Sequence, residues 1–175
     1  NSQAGARLAG RSVILTGAAG NIGTHIARAL LREGARVVMT GRTRDKLDAF
    51  IRQLADEGYD AGAMHPVAGD SADPEAGRAI VAETLERFGR LDVLINNAGA
   101  PGPRQTLEKI PVTAAAAKAT GDGETLFDAA MNLLGGPWNM ARAAVPHLAP
   151  GGAIVNVSTI FSRTPYFGRI PYAVP

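Results

Sequence analysis

Three glycines, at positions 17, 20 and 23, form the segment of this sequence whose chemistry is easiest to assign. They lie between a short apolar run, residues 12–16, and an amphipathic run. A turn without side chains lets backbone N–H groups and a helix N-terminus approach a pyrophosphate closely. A plain turn is the alternative, but the strand–turn–helix context favours dinucleotide binding. The expected contacts come from Gly17, Ala19, Gly20, Asn21, Ile22 and Gly23.

The end of the second apolar run bears on the choice of cofactor. An acidic residue there would bind the adenosine 2′-hydroxyl and favour NAD. This sequence instead has Gly41 followed by Arg42, with Arg44 close by. A guanidinium matches the oxygens of a 2′-phosphate, although a solvated arginine on a polar turn is the alternative. The pattern therefore favours NADP(H), with NAD(H) possible, and predicts that Gly41 and Arg42 contact the cofactor.

The elements that must position these residues alternate along the chain. Nearly continuous apolar runs predict five strands, over 12–16, 36–40, 61–67, 92–96 and 153–157. Amphipathic spacing and helix-end signals predict helices over 22–33, 45–57, 74–88 and 125–148. Such alternation indicates an α/β fold: a Rossmann-type doubly wound parallel sheet with helices on both faces. The segment 101–123 is expected to be a loop with a short helix.

Composition excludes several classes of protein. The 175 residues have room for one domain, so 1–175 is expected to be a single dinucleotide-binding domain. Charged residues make up 19%, the net charge is +2 and no basic stripe is present, which argues against nucleic-acid binding. Neither a signal peptide nor a run long enough to span a membrane is found, so a cytoplasmic protein is expected. Three scattered histidines and no cysteine predict no metal site.

Five features, taken together and in order, resemble the short-chain dehydrogenase/reductase family, and the resemblance covers the whole chain. They are the glycine-rich turn, Asp70, the tetrad Asn96-Asn97-Ala98-Gly99, Asn132, and Thr159 placed thirteen positions before Tyr172. The resemblance implies that Asp70, with Ser71 beside it, contacts the adenine end of the cofactor. It also implies that Asn97, Ala98 and Gly99 line the cofactor, and that the tetrad stabilises the sheet.

The resemblance further implies hydride transfer between a nicotinamide and a ketone or secondary alcohol. Tyr172 would donate or accept the proton, Thr159 or its neighbour Ser158 would bind the substrate oxygen, and Asn132 would anchor a proton path. A phenol has an ordinary pKa of about 10, and a lysine four residues later on the same helix face would lower it. That position is 176, so the chain is expected to continue beyond Pro175 and to be the N-terminal part of a longer polypeptide.

Three departures from the family pattern leave alternatives open. The G-x-x-G-x-x-G spacing, with Asn21 where glycine is more common, is typical of the branch that modifies sugar nucleotides, so an epimerase or dehydratase is one alternative. Thr159 replaces the usual serine, and with the missing lysine this suggests a non-catalytic nucleotide-binding protein as another. The interval from Gly99 to Asn132 is longer than usual. Resemblance alone implies a homo-oligomer, a tetramer or a dimer, through the helix near Asn132.

Overall fold

The computed structural model describes residues 6–99, 113 and 125–159. The chain divides into two compact units, Asn1–Ala98 with Gly136–Val157 and Gly99–Gly135 with Ser158–Pro175. All five described strands belong to the first unit. The loop and short helix predicted for 101–123 lie outside the described residues, apart from Thr113.

Parallel strands alternate with helices, as the sequence predicts. The strands are β1 (Ser12–Thr16), β2 (Arg36–Gly41), β3 (Met64–Ala68), β4 (Leu91–Asn96) and β5 (Leu148–Asn156). The helices of the described residues are α1 (Asn21–Arg32), α2 (Arg44–Asp56), α3 (Pro74–Phe88) and α4 (Leu126–Ala144). The strands pair in parallel in the order β3-β2-β1-β4-β5, so the predicted Rossmann-type doubly wound sheet is confirmed.

The side chains of successive residues of β1 lie on opposite faces of the sheet. Val13 and Leu15 belong to the core that α1 and α2 cover, whereas Ile14 belongs to the core under α3 and α4. All three side chains are fully buried. Because both faces are covered, neither can be polar, and the strands read as continuous apolar runs in the sequence.

The ends of the helices follow local signals. The Asp73 carboxylate accepts a hydrogen bond from the Glu75 amide at 2.9 Å and caps α3, and Gly89 ends this helix with φ of +74°, which agrees with the predicted limits 74–88. The long helix ends at Ala144 rather than at residue 148. Residues Val145–His147 continue as a 3-10 turn that contains Pro146, which has no backbone N–H to donate to an α-helical hydrogen bond.

Two strands have different limits from those predicted. β5 starts at Leu148, which pairs with Leu91, and regular pairing resumes only at Ala153 opposite Val93. Between them Gly151 takes φ of +77°, so the glycine-rich stretch is an irregularity within the strand and not a turn before it. β3 starts at Met64 rather than Ala61, because residues 61–63 form a 3-10 turn.

An ionic cluster centred on Asp92 joins β4 to the start of β1. The Asp92 side chain is 2% exposed and accepts hydrogen bonds from the Arg11 guanidinium at 2.7 Å, the Ser12 amide at 2.9 Å and the Arg90 guanidinium at 2.8 Å. Burial opposes ionisation, but the bonds from Arg90, Ser12 and Arg11 outweigh it and lower the pKa of Asp92 to about 2. Asp92 therefore connects two neighbouring strands through a carboxylate that is charged at neutral pH.

Candidate cofactor-binding site

The glycine-rich turn connects β1 to α1 at the carboxyl edge of the sheet. Gly17 has φ of +65°, a conformation that glycine adopts without strain, and the Gly20 amide donates to the Gly17 carbonyl at 3.0 Å. Gly20 is the N-cap of α1, and neither a side-chain cap nor an acidic residue occupies the first turn. The N-terminal amides of this helix therefore keep their attraction for an anion.

Backbone groups approach so closely around this turn that two glycines have no room for a side chain. A Cβ on Gly23 would clash with the Gly17 carbonyl oxygen and lie 2.8 Å from the Ala18 carbonyl oxygen. A Cβ on Gly17 would lie 2.9 Å from the Ala98 Cα. Ala19 is half-buried, while Asn21 and Ile22 are exposed at the start of α1. The turn is therefore a compact backbone surface, which suits close approach by a diphosphate.

Thr16 and Asn97 connect the glycine turn to the end of β4. The Thr16 hydroxyl accepts hydrogen bonds from the amides of Asn97 and Ala98, each at 2.9 Å. The Asn97 side-chain amide donates to the carbonyls of Thr16 at 2.9 Å and Gly17 at 3.2 Å. Sequence reasoning did not single out Thr16 as a site residue. The available signal was a β-branched hydroxyl residue at the end of an otherwise apolar strand.

Asn96 makes the corresponding connection to β5. Its side-chain amide donates to the side-chain oxygen of Asn156 at 2.9 Å, and its own side-chain oxygen is buried without a hydrogen-bond partner in the described residues. Asn156 was not predicted, although an asparagine in an apolar strand could have indicated such a partner. The tetrad thus stabilises the carboxyl edge of the sheet through Asn96 and Asn97.

Arg42 and Arg44 differ in their availability at the end of β2. Arg44 donates to both carboxylate oxygens of Asp48, at 2.9 and 3.0 Å. Arg42 is exposed, and no hydrogen bond or ion pair joins it to another residue in the described ranges. A Cβ on Gly41 would meet only the Leu47 Cδ2, at 3.7 Å, so this position could accommodate a side chain. Arg42 is thus the guanidinium of this pair that is available to a phosphate.

Asp70 and Ser71 form a turn between β3 and α3. The Asp70 carboxylate accepts a hydrogen bond from the Ala72 amide at 3.0 Å and is otherwise exposed. The Ser71 Oγ would lie 2.8 Å from a Cβ on Gly136, so this glycine lets α4 pack against the turn. One further bond, from the Asn139 side-chain amide to the Ala72 carbonyl at 2.8 Å, holds the turn to α4.

The remaining predicted residues belong to the second unit. Gly99 is exposed, and a Cβ there would meet the Leu133 Cδ2 at 4.0 Å. Ser158 is exposed and Thr159 is half-buried, directly after β5. Asn132 belongs to α4, but its side chain, like the whole of Tyr172, lies outside the described residues. The assembly of a catalytic group from these residues therefore stays a prediction.

Across the described ranges, no group of three or more histidine, cysteine, aspartate or glutamate side chains could hold a metal ion. The same part of the chain contains no helix with the length and apolar character needed to cross a membrane.

Comparison with known proteins supports the resemblance read from the motifs. The model of the short chain dehydrogenase family matches residues 11–174. L-fucose dehydrogenase of Oryctolagus cuniculus is 37% identical over 97% of this chain and 54% of its own length. The 7alpha-hydroxysteroid dehydrogenase of Clostridium sardiniense is 33% identical over 96% of this chain and 60% of its own length. The chain thus spans somewhat more than half the length of these curated relatives.

A solved structure gives a third comparison. The N-domain of a bacterial malonyl-CoA reductase, solved with NADP, is 47% identical to this chain with a TM-score of 0.87, covering 97% of this chain and 32% of the other. The fold, the turn geometry and these likenesses agree. The chain belongs to the short-chain dehydrogenase family, a family of oxidoreductases that bind NAD(P).

Proposed function

We propose that this chain binds NADP(H) and forms part of an oxidoreductase that interconverts a ketone and a secondary alcohol. One observation carries the proposal: the side-chain-free turn at Gly17 and Gly23 is fixed to Asn97 and Ala98 through the Thr16 hydroxyl. This connection supports the proposal because it holds the glycine turn beside the end of β4, where a nicotinamide cofactor would lie in a fold of this kind.

The turn fits a diphosphate on two independent grounds. The amides at the start of α1 have no side-chain cap, and the first turn of that helix contains no carboxylate to repel an anion. A Cβ on Gly23 would clash with backbone oxygens, so the close packing at this position requires glycine. Gly17, Gly20 and the first amides of α1 would hold the diphosphate, and Asp70 with Ser71 would contact the adenine end.

The preference for NADP(H) over NAD(H) rests on Arg42. Its guanidinium has no ionic partner in the described residues, whereas Arg44 is engaged by Asp48. Gly41 supplies no carboxylate that would repel a 2′-phosphate. The relative solved with NADP supports the same choice.

The cofactor proposal is tested by comparing Arg42→Gln with the matched variant Arg44→Gln. Each removes one positive charge, and the two positions are two residues apart. Arg42→Gln should raise the Kd for NADPH about tenfold, since one charge-assisted hydrogen bond accounts for that factor, and should leave the Kd for NADH unchanged. Arg44→Gln should leave both constants within about twofold. Equal losses in the two variants would remove the assignment of Arg42.

The proposed chemistry assigns three tasks to residues of this chain. The bound nicotinamide supplies or accepts the hydride. Tyr172 exchanges a proton with the substrate oxygen, which a hydroxyl of Thr159 or Ser158 holds by a hydrogen bond. Asn132 anchors the path by which that proton is replaced. These roles derive from the family resemblance, which also implies a lysine that would lower the pKa of Tyr172.

A second candidate substrate class comes from the malonyl-CoA reductase relative, at 47% identity. Reduction of an acyl thioester with loss of the thiol gives an aldehyde, and a second hydride gives an alcohol. Either carbonyl could be the substrate of the polypeptide that contains this chain. NADPH oxidation should therefore be measured with malonyl-CoA, with the corresponding semialdehyde and with a panel of simple ketones. Turnover confined to the first two compounds would favour this candidate.

The same assays bear on two alternative functions. The hypothesis of a sugar-nucleotide epimerase or dehydratase rests on the glycine spacing alone, and all three relatives described above have dehydrogenase or reductase names. Tight binding of NADPH without turnover of any carbonyl would instead support the non-catalytic reading.

We also propose that the protein is a homo-oligomer. Trp138 on α4 is 70% exposed and Val145, directly after this helix, is 57% exposed, and such large apolar side chains favour burial against a partner. The variant Trp138→Glu should lower the oligomeric state measured by analytical ultracentrifugation, while Arg52→Glu on α2 should not. If the unmodified protein is a monomer in the same measurement, the proposal is wrong.

A cytoplasmic location stays a prediction from the sequence.

A further inference from the structure

A cavity of about 190 Å³ lies between α3 and the C-terminal part of α4, apart from the cofactor-binding turn. Its walls come from Pro74 and Arg78 of α3 and from Asn139, Arg142, Pro146 and His147 on the other side. All of these residues belong to the first compact unit. The volume is enough for several water molecules or one small polar ligand.

The two helices pack directly against each other beside the cavity. A Cβ on Gly77 would make ordinary contacts, at 3.6 Å, with both the Asn139 carbonyl oxygen and the Met140 sulfur. The Asn139 side chain donates to the Ala72 carbonyl at 2.8 Å. The cavity thus lies between two helices in contact, and its charged side chains are exposed to solvent.

The polar side chains of the lining are donors suited to an anion. Arg78 and Arg142 each present a guanidinium, His147 presents an imidazole, and no carboxylate lines the cavity in the described residues. Arg142 has no hydrogen bond or ion pair with any described residue. Arg78 pairs with Glu75, and this pair is 55% and 79% exposed, so it contributes little and can be exchanged for a ligand.

We propose that this cavity is a binding site for a phosphate group, either free or as part of a small metabolite. A phosphate dianion has enough oxygens to accept hydrogen bonds from two guanidiniums and an imidazole at once. None of the lining residues belongs to the glycine turn, so the inference does not depend on the proposed function.

The test is a calorimetric titration of the full protein with inorganic phosphate at constant ionic strength, with and without saturating NADP⁺. Filling the cofactor site prevents phosphate from binding at the glycine turn or at Arg42. We expect saturable binding to persist in the presence of NADP⁺. Arg142→Gln and Arg78→Gln should each weaken it about tenfold, the factor that one charge-assisted hydrogen bond accounts for. Arg52→Gln, on α2 across the sheet, is the matched control and should bind phosphate normally.

A second titration, with glycerol 3-phosphate, distinguishes the two sources of the group. Tighter binding of the ester would indicate a phosphorylated metabolite, whereas equal or weaker binding would indicate the free ion. The proposal is overturned if Arg142→Gln and Arg78→Gln bind phosphate as the parent does, if Arg52→Gln loses as much, or if NADP⁺ abolishes binding. Melting temperatures without phosphate verify that each variant is folded.

Discussion

Thr16 accepts two hydrogen bonds from Asn97 across the carboxyl edge of the sheet. The Asn97 backbone amide donates to the Thr16 hydroxyl at 2.9 Å, and the Asn97 side-chain amide donates to the Thr16 carbonyl at 2.9 Å. The same hydroxyl also accepts from the Ala98 amide. One threonine thus holds the backbone after β4 against the glycine turn after β1, and this geometry is what the cofactor proposal requires.

Thr16→Val should weaken both folding and cofactor binding. Valine keeps the shape but removes the acceptor of two backbone amides, and a buried donor left without a partner costs about 1–3 kcal/mol. We expect the free energy of unfolding to fall by about 2 kcal/mol and the Kd for NADPH to rise several-fold. Thr16→Ser retains the hydroxyl and should restore NADPH affinity. If Thr16→Val and Thr16→Ser have the same Kd for NADPH, the Thr16 hydroxyl does not contribute to cofactor binding.

Gly23→Ala should destabilise the protein because the added Cβ would meet the carbonyl oxygens of Gly17 and Ala18. Overpacking of this kind costs about 1–3 kcal/mol, and the displaced turn should bind NADPH at least tenfold less tightly. Chemical denaturation and a fluorescence titration measure the two effects. Gly41→Ala is the stability control, since its Cβ would make an ordinary contact with Leu47. An unchanged unfolding energy for Gly23→Ala would contradict the packing described here.

Gly41→Asp should shift the cofactor preference towards NAD(H). The position has space for a side chain, and a carboxylate there can bind a ribose hydroxyl while repelling a 2′-phosphate. We expect the Kd for NADPH to rise at least tenfold and that for NADH to fall. Gly41→Asn adds a side chain of similar size without the charge, so it should raise the Kd for NADPH much less than Gly41→Asp does. An unchanged ratio of the Kd values for NADPH and NADH would mean that the adenosine ribose does not lie beside residue 41.

The sequence predicts the sheet and its glycine turn because both depend on local patterns. Apolar runs identify the strands, and Asp73 with Gly89 defines α3 at both ends. The bonds of Thr16 to Asn97 and of Asn96 to Asn156 join residues far apart in the chain, and local spacing does not encode them. The predicted start of β5 at residue 153 is too late because the apolar run begins only after Gly151, whereas the structure accommodates this glycine within the strand.

Tyr172→Phe should abolish turnover while leaving cofactor binding intact. The residue lies outside the described part of the structure, so the prediction rests on the family resemblance and is tested in the longest polypeptide that contains this chain. General acid–base catalysis contributes typically about 10²–10⁴-fold, and kcat should fall by at least that range. Tyr166→Phe, another tyrosine to phenylalanine change six residues earlier, should retain activity. Retained turnover in Tyr172→Phe would remove its assignment as the proton donor.

Asp92→Asn should destabilise the fold in a way that depends on pH. The pKa of Asp92 is about 2 in the folded protein and about 3.8 when unperturbed. Because the folded value is the lower, the stabilisation is fully present above pH ~4 and is lost as pH falls through about 2. A shift of this size corresponds to about 2 kcal/mol. Arg11 and Arg90 would each lose their carboxylate partner in the variant.

The measurement is the free energy of unfolding of the parent and of Asp92→Asn between pH 7 and pH 2. The two should differ by about 2 kcal/mol at pH 7 and converge as the pH approaches 2, since protonation removes the charge from the parent as well. Asp48→Asn breaks the exposed pair with Arg44 and should change the unfolding energy at pH 7 by less than about 1 kcal/mol. A difference for Asp92→Asn that is constant over this pH range would mean that hydrogen bonding, and not the charge of Asp92, joins β4 to β1.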